Sequence, residues 1–203
     1  MSAIRLGTRA STLATTQSEM VAGLLRSEGL DVNLTTITTH GDTSTASLAA
    51  MGGIGVFASA IRAALLEGEA DIAVHSFKDL PTGRPLGLAI GAVPARADPR
   101  DALVARDGLT LHDLPQEASV GTGSPRRAAQ LLAVRPDLTI VDIRGNVDTR
   151  LGRVKGLGRY AKNGGKEDLD AVVLAASGLA RLGHSGAVTE FLDPSVVLPA
   201  PAQ

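Results

Sequence analysis

Lys78 and Asp79 stand side by side where an apolar run over residues 72–74 gives way to polar His75 and Ser76 and is closed by Pro81. A cation next to a carboxylate at the carboxyl end of a strand is where open α/β sheets place ligands. On spacing alone, an exposed ion pair in a strand-to-helix loop is the commoner reading. A second group is cationic throughout. Ser124 and Pro125 fit the N-cap and first position of a helix, so Arg126 and Arg127 fall in its first turn. Positive charge is unfavourable at that end of the helix dipole, so two arginines there suggest that an anion joins them, a tolerated surface pair being the alternative. Thr122 lies in the turn just before. Arg144 ends the apolar run 138–143, and Arg150 lies one or two turns into the helix after it. Near the N-terminus, Arg9 and Ser11 occupy a strand-turn-helix start whose free N–H groups suit an anion, although Arg9 also reads as a solvated turn charge. Six cations (Arg9, Lys78, Arg126, Arg127, Arg144, Arg150) and one carboxylate (Asp79) suit a substrate with several carboxylates whose chemistry needs one acid.

The elements that must hold these residues are legible as an α/β pattern. Residues 4–7 read as a strand. A helix capped by Ser11 and stopped at Gly29 follows, with Leu13, Met20, Val21, Leu24 and Leu25 on one face. Strands are expected at 32–39, 71–75 and 88–93, and a helix at 56–66. The stretch 40–55, rich in Gly, Ser, Thr and Ala, reads either as a lid over a cleft or as plain spacer. The proline-bracketed stretch 94–101 marks a crossing into a second domain. There, strands are expected at 102–104, 119–120, 138–143 and 171–175, with a short helix at 177–182 stopped by Gly183. Arg153, Arg159 and His184 are expected at the surface. Residues 196–198 read as a strand returning to the first domain. The expected organisation is one lobe from 1–95 plus 194–203 and a second from 96–193, with a cleft between them.

Composition narrows the classes. The chain has 203 residues, 44% of them hydrophobic and only 2% aromatic, so any core is aliphatic. With no cysteine, disulfides and thiolate metal sites are excluded within the chain. No charged-then-apolar leader and no membrane-length apolar run is present, from which a cytoplasmic protein is expected. The net charge of −1 gives no global argument for nucleic acid. Arginine outnumbers lysine 16 to 4, which suits bidentate carboxylate recognition and is also what a GC-rich genome produces. Ten of the 20 basic residues lie between 126 and 166 against three acids. A nucleic-acid role for this segment is the weaker reading, because Tyr160 alone offers a stacking face.

Several motifs in order carry a resemblance. The segment 75–81 (HSFKDLP) resembles the signature of the hydroxymethylbilane synthase (porphobilinogen deaminase) family, as do 6–11 (LGTRAS), 52–57 (GGIGVF), 98–101 (DPRD), 121–127 (GTGSPRR), 144–151 (RGNVDTRL) and 198–200 (LPA). The resemblance implies two α/β lobes like a type II periplasmic binding protein, joined by a double-crossover hinge. It implies a transferase of tetrapyrrole biosynthesis that condenses four porphobilinogens on a dipyrromethane cofactor, releasing ammonia and finally 1-hydroxymethylbilane. Loss of ammonia leaves a cationic azafulvene, so a carboxylate near the pyrrole nitrogens has charge to stabilise. By resemblance that carboxylate is the catalytic Asp79. Lys78, Thr122, Ser124, Arg126 and Arg127 are implied to bind the cofactor, and Arg9, Ser11, Arg144 and Arg150 the substrate. Ala50 and Ile54 fall where the family often has lysine, and no role is carried onto them. The family adds a third domain whose cysteine attaches the cofactor, and neither is found in this chain. The expectation is therefore a truncated form, inactive or without covalent cofactor and prone to self-associate, where the full enzyme is a monomer. The alternative is a non-catalytic, two-lobe binding protein for polycarboxylates.

Overall fold

The computed structural model describes residues 2–38, 58–83 and 85–203. It divides into two compact units, Met1–Ala95 with Ala202, and Arg96–Pro201 with Gln203. Both are mixed α/β. The expected loop at 40–55 and the start of the helix expected at 56–66 lie outside the described residues.

The first unit is built on a three-stranded, all-parallel sheet in the order β2-β1-β3. Its elements are β1 (Ile4–Thr8), α1 (Thr12–Ser27), β2 (Val32–Thr36), α2 (Ser59–Leu66) and β3 (Ile72–Ala73). Ser11 caps α1 by accepting from the Ala14 amide. Leu6, Ala22 and Val32 form the buried centre, with Ile4, Val21, Leu25, Leu34, Ile72 and Val74 packed around it. Ser18 donates to the buried Thr8 hydroxyl at 2.7 Å, tying α1 to the end of β1. Two expectations need correction. β3 has only two residues, and 88–93 is not a strand. Ile90 and Val93 are exposed, and no described strand pairs with them. An apolar run makes a strand only where a neighbour takes its hydrogen bonds.

The second unit has a five-stranded sheet in the order β6-β5-β7-β4-β8. Its elements are β4 (Asp101–Ala105), β5 (Ser119–Gly121), α3 (Pro125–Val134), β6 (Thr139–Val141), α4 (Val147–Leu151), β7 (Ala171–Ala175), α5 (Ala176–Arg181) and β8 (Glu190–Phe191). β5 runs parallel to β6 and β7, while β4 is antiparallel to β7 and β8. The two central strands are apolar on both faces because both faces are covered. Leu103, Ala105, Ala171 and Val173 join Val120, Leu131 and Leu192 on one side. Ala102, Val104, Val172 and Leu174 join Ile143, Leu151 and Leu179 on the other. Residues 196–198 form no strand, and the return to the first lobe expected from them is not made as a strand. Leu198 instead accepts from Arg126 and donates to Gln130 Oε1 at 2.6 Å, both within the second unit.

One acid fastens the β5–β7 end of this sheet. Asp170 accepts from Arg106 Nε at 2.8 Å, from Lys155 Nζ at 2.8 Å, and from the Ser119 amide at 2.9 Å and hydroxyl at 2.8 Å. Burial opposes its charge, but Lys155, Ser119 and Arg106 together hold its carboxyl well below the usual carboxylate range. A carboxylate lowered in the folded state stabilises fully above its unfolded pKa and loses that contribution as pH falls toward its folded one. Asp170→Asn is expected to cost about 2 kcal/mol near neutral pH. It should also reduce the loss of stability seen when wild type is taken below about pH 4. Urea unfolding of both proteins at several pH values checks this, and parallel pH profiles would refute it.

Candidate functional site

In the first unit the polar residues gather past the ends of β1 and β3. Arg9 is half-buried directly after β1, where the Thr8 hydroxyl donates to its carbonyl at 3.3 Å. After β3 the chain turns through a single 3₁₀ turn, Phe77–Asp79, closed by the Asp79 amide on the Ser76 carbonyl at 2.9 Å. Gln17 of α1 donates to the Ser76 hydroxyl at 3.1 Å, holding that turn beside α1. Lys78 and Asp79 are exposed on it. His75 lies among them: burial pushes its imidazole pKa down, Asp79 favours its proton, and Arg9 and Arg62 oppose it. Arg9 and Asp79 are thus electrostatic neighbours of one half-buried imidazole. His75, Gln17 and Arg62 were not singled out from the sequence. His75 sits inside the 75–81 motif and could have been weighed, but nothing in the local pattern marks Gln17 or Arg62. Ser11 caps α1, its hydroxyl oxygen accepting from the Ala14 amide at 3.4 Å.

In the second unit two turns are pressed together. A side chain at Gly123 would come within 2.7 Å of the Ile143 carbonyl oxygen, so only glycine lets the turn after β5 pass so close to the turn after β6. Gly145 has φ +100°, which lets the chain reverse between Arg144 and the Asn146 cap of α4. This packing brings Arg127 of α3, Arg144 and Arg150 of α4 into one electrostatic cluster. Thr122 is buried and accepts from the Ser124 amide at 3.2 Å, while Ser124 caps α3 by accepting from the Arg127 amide at 3.4 Å. Both hydroxyls therefore shape the turn.

The anion expected at the start of α3 comes from the protein itself. Asp101, fully buried at the start of β4, accepts from Arg126 Nη2 and Arg127 Nη2 at 2.7 Å each and from Gln203 Nε2 at 2.8 Å. Burial works against its charge, yet Arg127, Gln203 and Arg126 hold its pKa below the usual range. The count of one carboxylate among the site residues is thus corrected: Asp101 stands in the cationic group, and Asp142 lies within electrostatic reach of Arg150. Period-two alternation puts Asp101 on the face of β4 shared by Leu103 and Ala105, the face against which Leu131 of α3 packs.

Part of the arginine cluster has no internal partner. Arg127 Nε and Arg144 Nη1 are buried and make no hydrogen bond. The Arg150 guanidinium is pushed down from its ordinary range by burial and by Arg127 and Arg144, with Asp142 partly offsetting them. Its Nε donates to the Gly145 carbonyl at 2.9 Å. Buried donors left unmatched are costly.

Elsewhere the basic segment is partly neutralised by acids inside and beyond it. Arg153 pairs with Asp168, Lys155 with Asp170 at 2.8 Å, and Arg135 with Asp137 at 2.6 Å. Arg153 is therefore not simply solvated. Nor is His184 a plain surface residue: its Nε2 lies 2.7 Å from Asp148 Oδ1, and its ring meets the edge of Tyr160 at 5.0 Å. Arg159 is exposed and lies over the Tyr160 ring. Among the described residues no group of three or more His, Cys, Asp or Glu is placed to hold a metal ion, and no helix is long and apolar enough to cross a membrane.

Fold and side chains together define a mixed α/β protein with an arginine cluster in which two buried nitrogens make no hydrogen bond. Residues 4–203 match the family profile described as porphobilinogen deaminase, dipyromethane cofactor binding domain. A porphobilinogen deaminase of Micrococcus luteus is 59% identical over 210 residues, aligned with 100% of this chain and 56% of the relative. One from Leifsonia xyli is 58% identical over 202 residues, covering 99% of this chain and 58% of the relative. Two solved structures overlap more loosely. Apo YehZ from Escherichia coli has a TM-score of 0.46 at 13% identity, covering 98% of this chain and 78% of that one. A YaeC-family lipoprotein from Enterococcus faecalis has a TM-score of 0.38 at 11% identity, covering 96% and 79%. The chain belongs to the porphobilinogen deaminase family. It spans somewhat more than half the length of the curated relatives it matches.

Proposed function

We propose that the protein containing this chain is a hydroxymethylbilane synthase. It condenses four porphobilinogens head to tail, releases ammonia at each step and works in the cytoplasm as a monomer. The observation that carries the reading furthest is the pair of buried, unmatched nitrogens on Arg127 and Arg144 beside the desolvated Arg150. Such donors suit the carboxylates of a pyrrole that bears an acetate and a propionate. They also fit the dipyrromethane cofactor of the family, which supplies the primer from which the pyrrole chain grows. Arg126, Arg127 and Lys78 would hold its carboxylates, with Thr122 and Ser124 shaping the turn that presents them. Arg9, Arg144 and Arg150 would hold the incoming ring, and Ser11 would fix the turn that carries Arg9. Asp79, exposed beside His75, would face the pyrrole nitrogens and balance the positive charge that develops as ammonia leaves. For both groups to act on one substrate, the two units work as lobes joined by a hinge.

A second reading is that the protein containing this chain binds polycarboxylates without turning them over. Incubating the full-length protein with porphobilinogen separates the two. Consumption of pyrrole matched mole for mole by ammonia supports the synthase. Binding without consumption supports the second reading, and absence of both refutes the pair.

A further inference from the structure

We infer that Asp101 is a positioning residue of the anion site: its buried carboxylate neutralises Arg126 and Arg127 jointly and leaves the Nε edge of Arg127, with Arg144 and Arg150, to meet incoming carboxylates. The inference rests on the polycarboxylate reading above. Its grounds are geometric. Oδ2 of Asp101 takes Arg126, and Oδ1 takes Arg127 and Gln203. Arg127 is held at both ends of its fork, by Asp101 through Nη2 and by the Val173 carbonyl through Nη1 at 3.3 Å. With both Nη atoms engaged, Nε is the edge left without a bond.

Two arginines at a helix start repel each other and the helix dipole, and one carboxylate placed under them by the register of β4 relieves both effects. It also fixes the charge that the site presents. Arg126, Arg127, Arg144 and Arg150 with Asp101 present one positive charge fewer than the four arginines alone. Arg126 is held in place by Asp101 and the Leu198 carbonyl. Arg144 and Arg150, together with one edge of Arg127, are kept for the ligand.

The test compares the chain with its Asp101→Asn and Asp101→Glu variants, titrated with benzenetetracarboxylate by calorimetry at low and high salt. Asparagine keeps the shape and removes the charge. Its loss of affinity between about 0.05 and 0.5 M salt is expected to be at least about threefold larger than that of wild type, because one more unscreened positive charge attracts the probe. Glutamate keeps the charge on a longer arm. It is expected to bind more weakly while keeping the wild-type salt ratio. A purely structural role would weaken both variants at every salt concentration with the ratio unchanged, and that result overturns the inference. If the asparagine variant does not fold, carbon NMR of the wild-type Asp101 carboxyl decides. It should stay ionised well below the usual carboxylate range and hold its shift when the probe binds. A shift that reports Asp101 released or protonated on binding overturns the inference. Failure of wild type to bind the probe removes the polycarboxylate reading, and this inference with it.

Discussion

Replacing Asp79 with Asn in the full-length protein is expected to lower porphobilinogen turnover by about a hundredfold to ten-thousandfold and to leave the fold intact. The second half of that expectation follows from position. Asp79 is exposed on a 3₁₀ turn whose closing bond uses its backbone amide, so the carboxamide disturbs no packing. The first half follows from charge. A neutral amide can occupy the same volume but cannot balance positive charge that appears only as ammonia leaves, so kcat falls more than KM rises. An independent readout tests the proximity itself. Asp79 favours the proton on His75, so the variant should titrate His75 at a lower pH than wild type, seen by NMR. Near-normal turnover would remove Asp79 from the chemistry, and an unchanged His75 would remove it from the site.

Arg150→Gln is expected to separate stability from binding. The wild-type guanidinium is desolvated and feels the charges of Arg127 and Arg144, an arrangement that costs the folded protein free energy. Removing it relieves the repulsion and gives up one hydrogen bond to Gly145, a loss of about 1 kcal/mol. The melting temperature of the variant should therefore be no lower than that of wild type. Affinity for benzenetetracarboxylate should fall by about tenfold to a hundredfold, the usual consequence of losing a charged hydrogen-bonding partner. Differential scanning fluorimetry and calorimetry on the same samples test both halves. A variant that melts several degrees lower and binds normally would make Arg150 a structural residue.

The features readable from the sequence are those that act over a few residues. Ser124 and Pro125 announce α3 because a cap and a fixed φ are local requirements. Residues 171–175 announce β7 because a strand covered on both faces must be apolar throughout. The glycines at 121, 123 and 145 mark the turns that bring the arginines together. Partners supplied from distant parts of the chain could not be read. Asp101 lies 26 residues before Arg127, and nothing near either residue says that one neutralises the other. Asp168 and Asp170 likewise lie 15 residues beyond the cations Arg153 and Lys155 that they pair with. Charge counted within a window therefore overstated how basic 126–166 is. The run 88–93 failed in the opposite sense, since its composition suits a strand but no described strand lies alongside it.

The register of β4 has a consequence for how the protein is made. β1 meets β3 at Leu6↔Ile72, so every described strand of the first sheet has left the ribosome once Ala73 has emerged. β4 pairs only with segments that follow it, β7 from Ala171 and β8 from Glu190, about seventy residues or more behind. At about 5–20 residues per second, β4 waits several seconds as an apolar ribbon with neither edge paired. Translation speed across 106–170 therefore bears on yield. Synonymous codons that slow that stretch lengthen the exposure of β4 to chaperones and to other nascent chains, with no change in the finished molecule.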